Sequence, residues 1–537
     1  MKKVFVFFLI NCFLVTCVLF AAGQRDAAVT RAGTSPAGRI SYPINTDVTI
    51  TYWASLGSTL GQRFTNFSET PFGPYIEQRT GINVEWIHPP SGMENETFNI
   101  MVASGDLPDI IERGFGNFPG GPERAIEEGV IFRLNDIIAN WAPNLADRLR
   151  DNPDFDRMVR TDEGSYYVFP FIQLSAMSRI TDGPIIRRDW LDELGLAMPE
   201  TIDDWENVLI AFRDRKGALA PFTFEYTNNS YFERHAFSLA WMSPGRFFVG
   251  DDGRMQYGPI LDGRREYLRV FARWYREGLI DSDLITMRQA NVTQRILTDA
   301  SGAAHGAIGS RMGAWIDAAA SAGNPIDLAG APWPVLRRGD RPRLTPIVYP
   351  FNPGTGGNTG ISGKASRPDI AARLLDWGYS DEGHNLFNFG IEGESYTWVN
   401  NYPQYTDYVL RSPLGLNAAL SEFVRATGSG PFFQDERYQI QFYASDIQKE
   451  TSQLWAIPES IAYALPPISP TVEESRELAQ IMNAVITQRN EMEARFIMGL
   501  EPLTDANWNA YMDRMRQLGI DRAIEIQNAA LERFNRR

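Results

Sequence analysis

The chain has 537 residues, of which 44% are hydrophobic and 22% charged, with a formal net charge of -15. That length and balance suit about three structural units with large cores, and exclude a disordered, collagenous or coiled-coil chain. An acidic surface argues against nucleic acid as partner, because phosphate binding needs clustered Lys and Arg. The only cysteines, Cys12 and Cys17, fall in the first 20 residues, so the body has no thiol for a zinc site, a disulfide or a nucleophile. The four histidines (His88, His235, His305, His384) are scattered, and nothing local suggests a metal site or a Ser-His-Asp constellation.

Met1-Lys2-Lys3 precedes an apolar run that ends in Ala21-Ala22-Gly23, the pattern of an export signal. Cleavage near Gly23 is one outcome, and an uncleaved anchor is another, since the run is long enough to span a bilayer. A third is a lipid on Cys17, since Leu14-Val15-Thr16-Cys17 resembles a lipoprotein box with Thr where a smaller residue is usual. Residues 24–46 are small and polar and read as a tether.

In the body, Asp47–Trp53 alternates and is β-branched, so it reads as a strand. A helix follows over Pro71–Arg79, a strand over Ile82–Trp86, a helix over Glu94–Ala103 and a short strand over Asp109–Ile111. This order predicts parallel pairing in an α/β sheet, with ligand at the carboxyl ends of the strands. Trp53, Asp106 and the loop carrying Phe115 and Phe118 then lie near one rim. Helices are expected over Glu123–Glu128, Leu134–Asn140 and Pro143–Arg150, and a strand over Tyr166–Pro170. Asp189–Leu194, Thr201–Asp214 and Glu266–Glu277 read as helices. The C-terminal third reads as helical over 417–427, 444–455, 472–495 and 505–536.

An ordered set of segments carries a family resemblance. They are ASGDLPDII at 103–111, AIEEGVIFRLNDII at 125–138, IRRDWLDELGL at 186–196, WYREGLID at 274–281, YSDEG at 379–383, GIEGESYTW at 390–398 and RFIMGLEPL at 495–503. The chain resembles the extracellular solute-binding proteins of bacterial ABC importers, family 1, and within it the LplA-like and alginate-oligosaccharide-binding subgroup. The resemblance implies an α/β fold of the periplasmic binding protein-like type II: two α/β lobes around a ligand cleft, joined by crossover hinge strands. Placed on this chain, the N-terminal lobe would hold 47–170 plus 333–410, and the C-terminal lobe 171–332 plus 411–537 with a helical extension. Many relatives carry a calcium loop after the helix that here ends at Asp214. This chain runs Arg213–Pro221 without alternating carboxyl and amide ligands, so neither metal nor cofactor is expected.

The resemblance further implies capture of a carbohydrate, an oligosaccharide in the first instance, and delivery to the permease subunits of an ABC importer, with a monomer as the working state. Sugars present apolar faces and a hydroxyl rim, so stacking aromatics are the natural candidates. Tyr396 and Trp398 follow a segment that resembles a cleft loop, and Trp241 matches a cleft aromatic by position. Trp53, with a lid or core role as the alternative, Trp315, and Phe115, with a solvated turn as the alternative, are further candidates, and Asp106 could accept sugar hydroxyls or serve only as a turn former. The acidic clusters Asp189/Asp192/Glu193 and Asp203/Asp204 are each made of neighbours on a single helix and cannot straddle a substrate as a glycosidase pair must. A peptide receptor and a secreted glycan-active enzyme are the alternative functions.

Overall fold

The computed structural model describes residues 41–226, 236–426, 430–443 and 445–537. The export segment, Cys17, residues 24–40 of the tether and His235 lie outside the described residues.

The alternation read at Asp47–Trp53 yields strand β1 (Thr49–Trp53), whose Ile50, Tyr52 and Trp53 are buried. Strands β2 (Asn83–Ile87) and β3 (Ile110–Glu112) flank it, both parallel to it, with Tyr52 opposite Trp86 on one side and Ile110 on the other. The intervening helices, Phe72–Thr80 and Glu94–Ser104, stop at Gly81 and Gly105, both in the left-handed region that glycine adopts without cost. A late strand, β11 (Thr359–Ile361), closes this sheet antiparallel to β3. Around it a first core gathers Ile50, Trp53, Phe98, Phe115, Phe169, Trp377 and Phe432.

A second sheet runs β10 (Leu328–Gly330), β5 (Asp182–Arg187), β9 (Ala303–Ala307) and β6 (Phe222–Thr223) in that order. Here β5 pairs antiparallel with β9 and β10, and β6 lies parallel to β9. Its core holds Trp205, Phe212, Phe271, Trp274, Trp315, Trp333 and Trp455. Tyr349 and Phe442 are half-buried and pack against both cores.

Three segments tie the lobes together. Strand β4 (Ile172–Gln173) runs parallel to β14 (Phe433–Gln434), and Ile172 also bridges Phe351. Asn358, fully buried, accepts from the Phe171 amide at 3.2 Å and donates to the Asn352 carbonyl at 2.7 Å, fixing two of these crossings to each other.

The helix Val472–Ile497 opens with a capping box on Thr471 and has 26 residues, a length of about 39 Å. Its first turn touches the helix Gly121–Glu127, where Val472 lies near Gly120, while Val485, Phe496 and Ile497 sit in the second core. The final helix, Ile520–Arg536, likewise places Ile520 and Ala523 in the second core and Phe534 in the first.

Three expected elements differ. Tyr166–Pro170 is not a continuous strand: Tyr166 and Phe169 make isolated antiparallel bridges, to Arg160 and to Thr359, the latter at 2.7 and 3.1 Å, and Pro170 has no amide to donate. The span 505–536 is two helices, Asp505–Gln517 and Ile520–Arg536, broken where Gly519 takes φ 95°. The expected helix 417–427 is short, Leu416–Leu420, and the turn after it supplies cleft residues.

Candidate functional site

Between the two lobes lies a cleft of about 490 Å³. Its first wall is the run Ser55–Leu60, which leaves the carboxyl end of β1, together with Phe67, Asn417 and Ser421. The opposite wall comes from the end of β9 and the residues after it, Ala307, Gly309 and Ser310. The floor is built on the crossings: Gln173 of β4 with Ser178 and Thr181 after it, and Gln434 of β14 with Tyr438, Gln439, Phe442 and Tyr443 after it. Ligand sites at strand carboxyl ends are the general rule for such sheets.

The floor helix, Glu436–Phe442, is held by Asp435. Its side chain caps the helix by accepting from the Arg437 amide at 2.7 Å, and it also takes hydrogen bonds from Arg437 Nε at 3.0 Å and His384 Nε2 at 3.0 Å. Burial works against the charged form, but these donors win and hold the Asp435 carboxyl well below the usual carboxylate range. On this helix Tyr438 and Phe442 stack at 5.6 Å between ring centroids. A Cβ on Gly309 would come within 2.9 Å of the Phe442 ring, so only glycine lets that ring lie against the wall. Gln173 and Gln434 place their amides side by side, 3.4 Å apart, and Gln173 also donates to the Ser178 carbonyl at 2.9 Å.

Among the described residues one ionised side chain reaches the lining, Arg425, which is 5% exposed. Its guanidinium donates to Glu112 Oε1 at 2.6 Å and lies 4.4 Å over the Phe67 ring. Glu112, at the end of β3, also accepts from the Tyr52 hydroxyl at 3.0 Å. Burial pushes the Glu112 carboxyl up, and Arg425 pulls it back. No carboxylate lines the cleft among the described residues.

The aromatic candidates read from the sequence are dispersed. Trp53 is 2% exposed and packs on Phe98, because the last side chain of β1 turns into the core and the next residues turn into the cleft. Phe115 is fully buried against Phe98. Trp315 is buried, with its indole N–H donating to Thr293 Oγ1 at 3.0 Å. Trp241 is half-buried, edge-on to Tyr267. Asp106 is exposed in the turn after its helix, where its amide donates to Ser104 Oγ. Tyr396 is buried, and it meets the half-exposed Trp398 edge-on at 5.8 Å. Tyr396 lines a second cavity of about 290 Å³ with Tyr75, Asp381, Glu382 and Glu392. None of the seven lines the interlobe cleft.

The residues that do line it carry a quieter signal. Ser55-Leu-Gly-Ser-Thr-Leu60 is a hydroxyl-rich run directly after a strand, and Tyr438-Gln-Ile-Gln-Phe-Tyr443 interleaves aromatics with amides.

Residues 59–385, more than half of the chain, match the family model described as bacterial extracellular solute-binding protein. The fructooligosaccharide ABC transporter substrate-binding protein FusA of Streptococcus pneumoniae serotype 4 (strain ATCC BAA-334 / TIGR4) is 28% identical over 221 residues, 39% of this chain and 41% of that protein. The match thus spans about two fifths of the relative's length. The crystal structure of alginate-binding protein AlgQ2 without calcium ion superposes with a TM-score of 0.72 at 22% identity, covering 90% of this chain and 98% of that one. The S. pneumoniae FusA structure in complex with kestose gives 0.70 at 19% identity, covering 91% and 99%. The fold is therefore the two-lobed periplasmic binding protein-like one, and the chain belongs to the bacterial extracellular solute-binding protein family.

Proposed function

We propose that this solute-binding protein is the extracytoplasmic receptor of an ABC importer and that it captures a carbohydrate, an oligosaccharide in particular, in the cleft between its lobes. The observation that carries the reading is the chemistry of that cleft. Hydroxyls and amides from Ser55, Ser58, Thr59, Gln173, Ser310, Asn417 and Gln439 ring a half-buried aromatic, Phe442. Amide and hydroxyl groups both donate and accept, as a sugar's hydroxyl rim requires, and the ring offers its apolar face a platform. The names of the relatives agree: FusA is a fructooligosaccharide receptor and AlgQ2 an alginate-binding protein.

On this reading the lobes close about the three crossings, and the closed form is handed to a membrane permease. No bond is broken. Among the described residues no carboxylate pair lines the cleft to serve as acid and base across a glycosidic bond, which supports a receptor over a glycan-active enzyme. The chain works outside the cytoplasmic membrane, delivered by its apolar leader.

A thermal-shift screen tests the reading. A ligand that binds only the folded state at a hundred times its Kd stabilises by about 2.7 kcal/mol. An oligosaccharide that raises Tm and is recovered unchanged supports a receptor. Consumption of the sugar would make it an enzyme, and a shift from peptides alone would replace the cargo.

A further inference from the structure

We propose that the cleft selects an uncharged oligosaccharide and rejects uronates and other anionic sugars, because the single charged side chain among its described lining residues, Arg425, is already neutralised from behind by Glu112. This rests on the carbohydrate reading above and narrows it.

An anionic sugar needs a cation with donors to spare. Arg425 is the only Lys or Arg among the described residues that line the cleft. Its charge is matched by Glu112 at 2.6 Å, with both side chains almost fully buried. Glu112 cannot swing away cheaply, since its other oxygen takes the Tyr52 hydroxyl and its strand is paired on both sides. A ligand carboxylate beside this pair would set two anions against one guanidinium in a poorly solvated site, which is costly. A sugar hydroxyl asks for no net charge and can accept from a guanidinium fork whose orientation Glu112 and the Phe67 ring have fixed.

The nearby cations offer no substitute. Arg63 is ion-paired with Glu422 and donates to the Ala418 carbonyl. Arg179 donates to the carbonyls of Ser175 and Val348, 3.2 Å each. Arg113, with no carboxylate partner among the described residues, lies 3.6 Å over the Phe98 ring and outside the lining. The net charge of -15 adds a general repulsion that an anionic oligosaccharide must overcome before it reaches the cleft.

The test is calorimetric titration of the exported chain with tri- and tetrasaccharides of two matched kinds, neutral fructo- and galacto-oligosaccharides and anionic oligogalacturonate and oligomannuronate, at low and moderate salt. A neutral sugar is expected to bind with a Kd that salt barely moves, and the uronates at least about ten-fold more weakly. A uronate that binds as tightly as the best neutral sugar, with a salt-sensitive Kd, overturns the charge selectivity and leaves the carbohydrate reading standing. Binding of neither class removes the carbohydrate reading itself, and the selectivity with it. Glu112→Gln provides the second arm. If it folds, the gap between uronate and neutral sugar should narrow by about ten-fold, and an unchanged gap would contradict the role of Glu112. If it does not fold, the selectivity of the unaltered chain decides.

Discussion

Phe442 lies stacked on Tyr438, ring centroids 5.6 Å apart and planes inclined by 29°, on a helix that enters the interlobe cleft directly after a crossing strand. The same ring rests against Gly309 of the second lobe and packs on both cores. A platform in that position would sense ligand and lobe geometry together. Phe442→Ala is therefore expected to weaken binding by one to two orders of magnitude, the loss of about 1–3 kcal/mol of stacking and apolar contact. Titration calorimetry measures it. A Kd within two-fold of the unaltered chain would remove Phe442 from the site.

Trp398 provides the contrast. It is 39% exposed on the hairpin Tyr396–Tyr405 and does not reach the cleft lining. Trp398→Ala should leave the sugar affinity within about two-fold, since a surface residue away from the contact contributes little. The same titration checks this, and a ten-fold loss would mean that the ligand extends to the hairpin.

Asp435 sets a pH dependence with a definite sign. Its carboxyl is held well below the ordinary value by His384 and Arg437 against the pull of burial. A depressed carboxylate contributes stability that is complete above its unfolded pKa, about 4, and is lost as the pH falls below it toward the folded value. The melting temperature should therefore fall between pH 4 and pH 2. Asp435→Asn should lower Tm at pH 7 and flatten that acid limb. An unaltered acid limb in Asp435→Asn would show that other carboxylates govern it.

Glu493 and Arg264 form a bidentate pair at 2.6 and 2.7 Å, with side chains 0% and 1% exposed, joining the long helix Val472–Ile497 to the helix Asp262–Arg276. Removing one partner of such a pair strands a buried charge, at a cost of about 3–5 kcal/mol. Glu493→Ala should show that loss in denaturant unfolding. Replacement of both residues by apolar ones of like volume should recover much of it.

At the other end of the C-terminal arm, Asp162 of the first lobe accepts from Arg537 Nε at 3.0 Å and also pairs with Arg533, while Arg537 donates to Ser469 Oγ at 2.8 Å. This ties a helix rooted in the second core to the first lobe. Asp162→Asn should speed amide exchange in Ala530–Arg536 while leaving Val485–Ile497 protected. Equal exchange in both proteins would show that Phe534 packing alone holds the helix.

The first β-α-β-α-β run was legible because its signals are local: alternation at Thr49–Trp53 and Asn83–Ile87, and glycine caps at Gly81 and Gly105. Strands β5 and β9 were not. They carry glycine, proline and alanine where large rings press on the backbone, with Gly183 against Trp455 and Gly306 against Trp315, and such packing leaves no periodicity to read. The family resemblance was legible from segments spread along the chain. The cleft lining was not, because Ser55, Gln173, Ser310, Asn417 and Phe442 meet only when two lobes and three crossings come together. Tryptophan in a loop is a weak guide to stacking. Large rings bury much apolar area and so are drawn into cores, as Trp53 and Trp315 are here.

The most direct test of a sugar receptor that closes over its ligand is a cross-lobe distance. The body beyond Cys17 contains no cysteine, so single cysteines placed at the exposed Glu85 of the first lobe and the exposed Asp214 of the second can carry a dye pair cleanly. Saturating neutral oligosaccharide should shift the energy transfer between them, with a midpoint equal to the calorimetric Kd, and the Phe442→Ala protein should require more sugar for the same shift. A sugar that binds tightly while the distance stays fixed, or a shift produced by peptides and by no carbohydrate, would contradict the account.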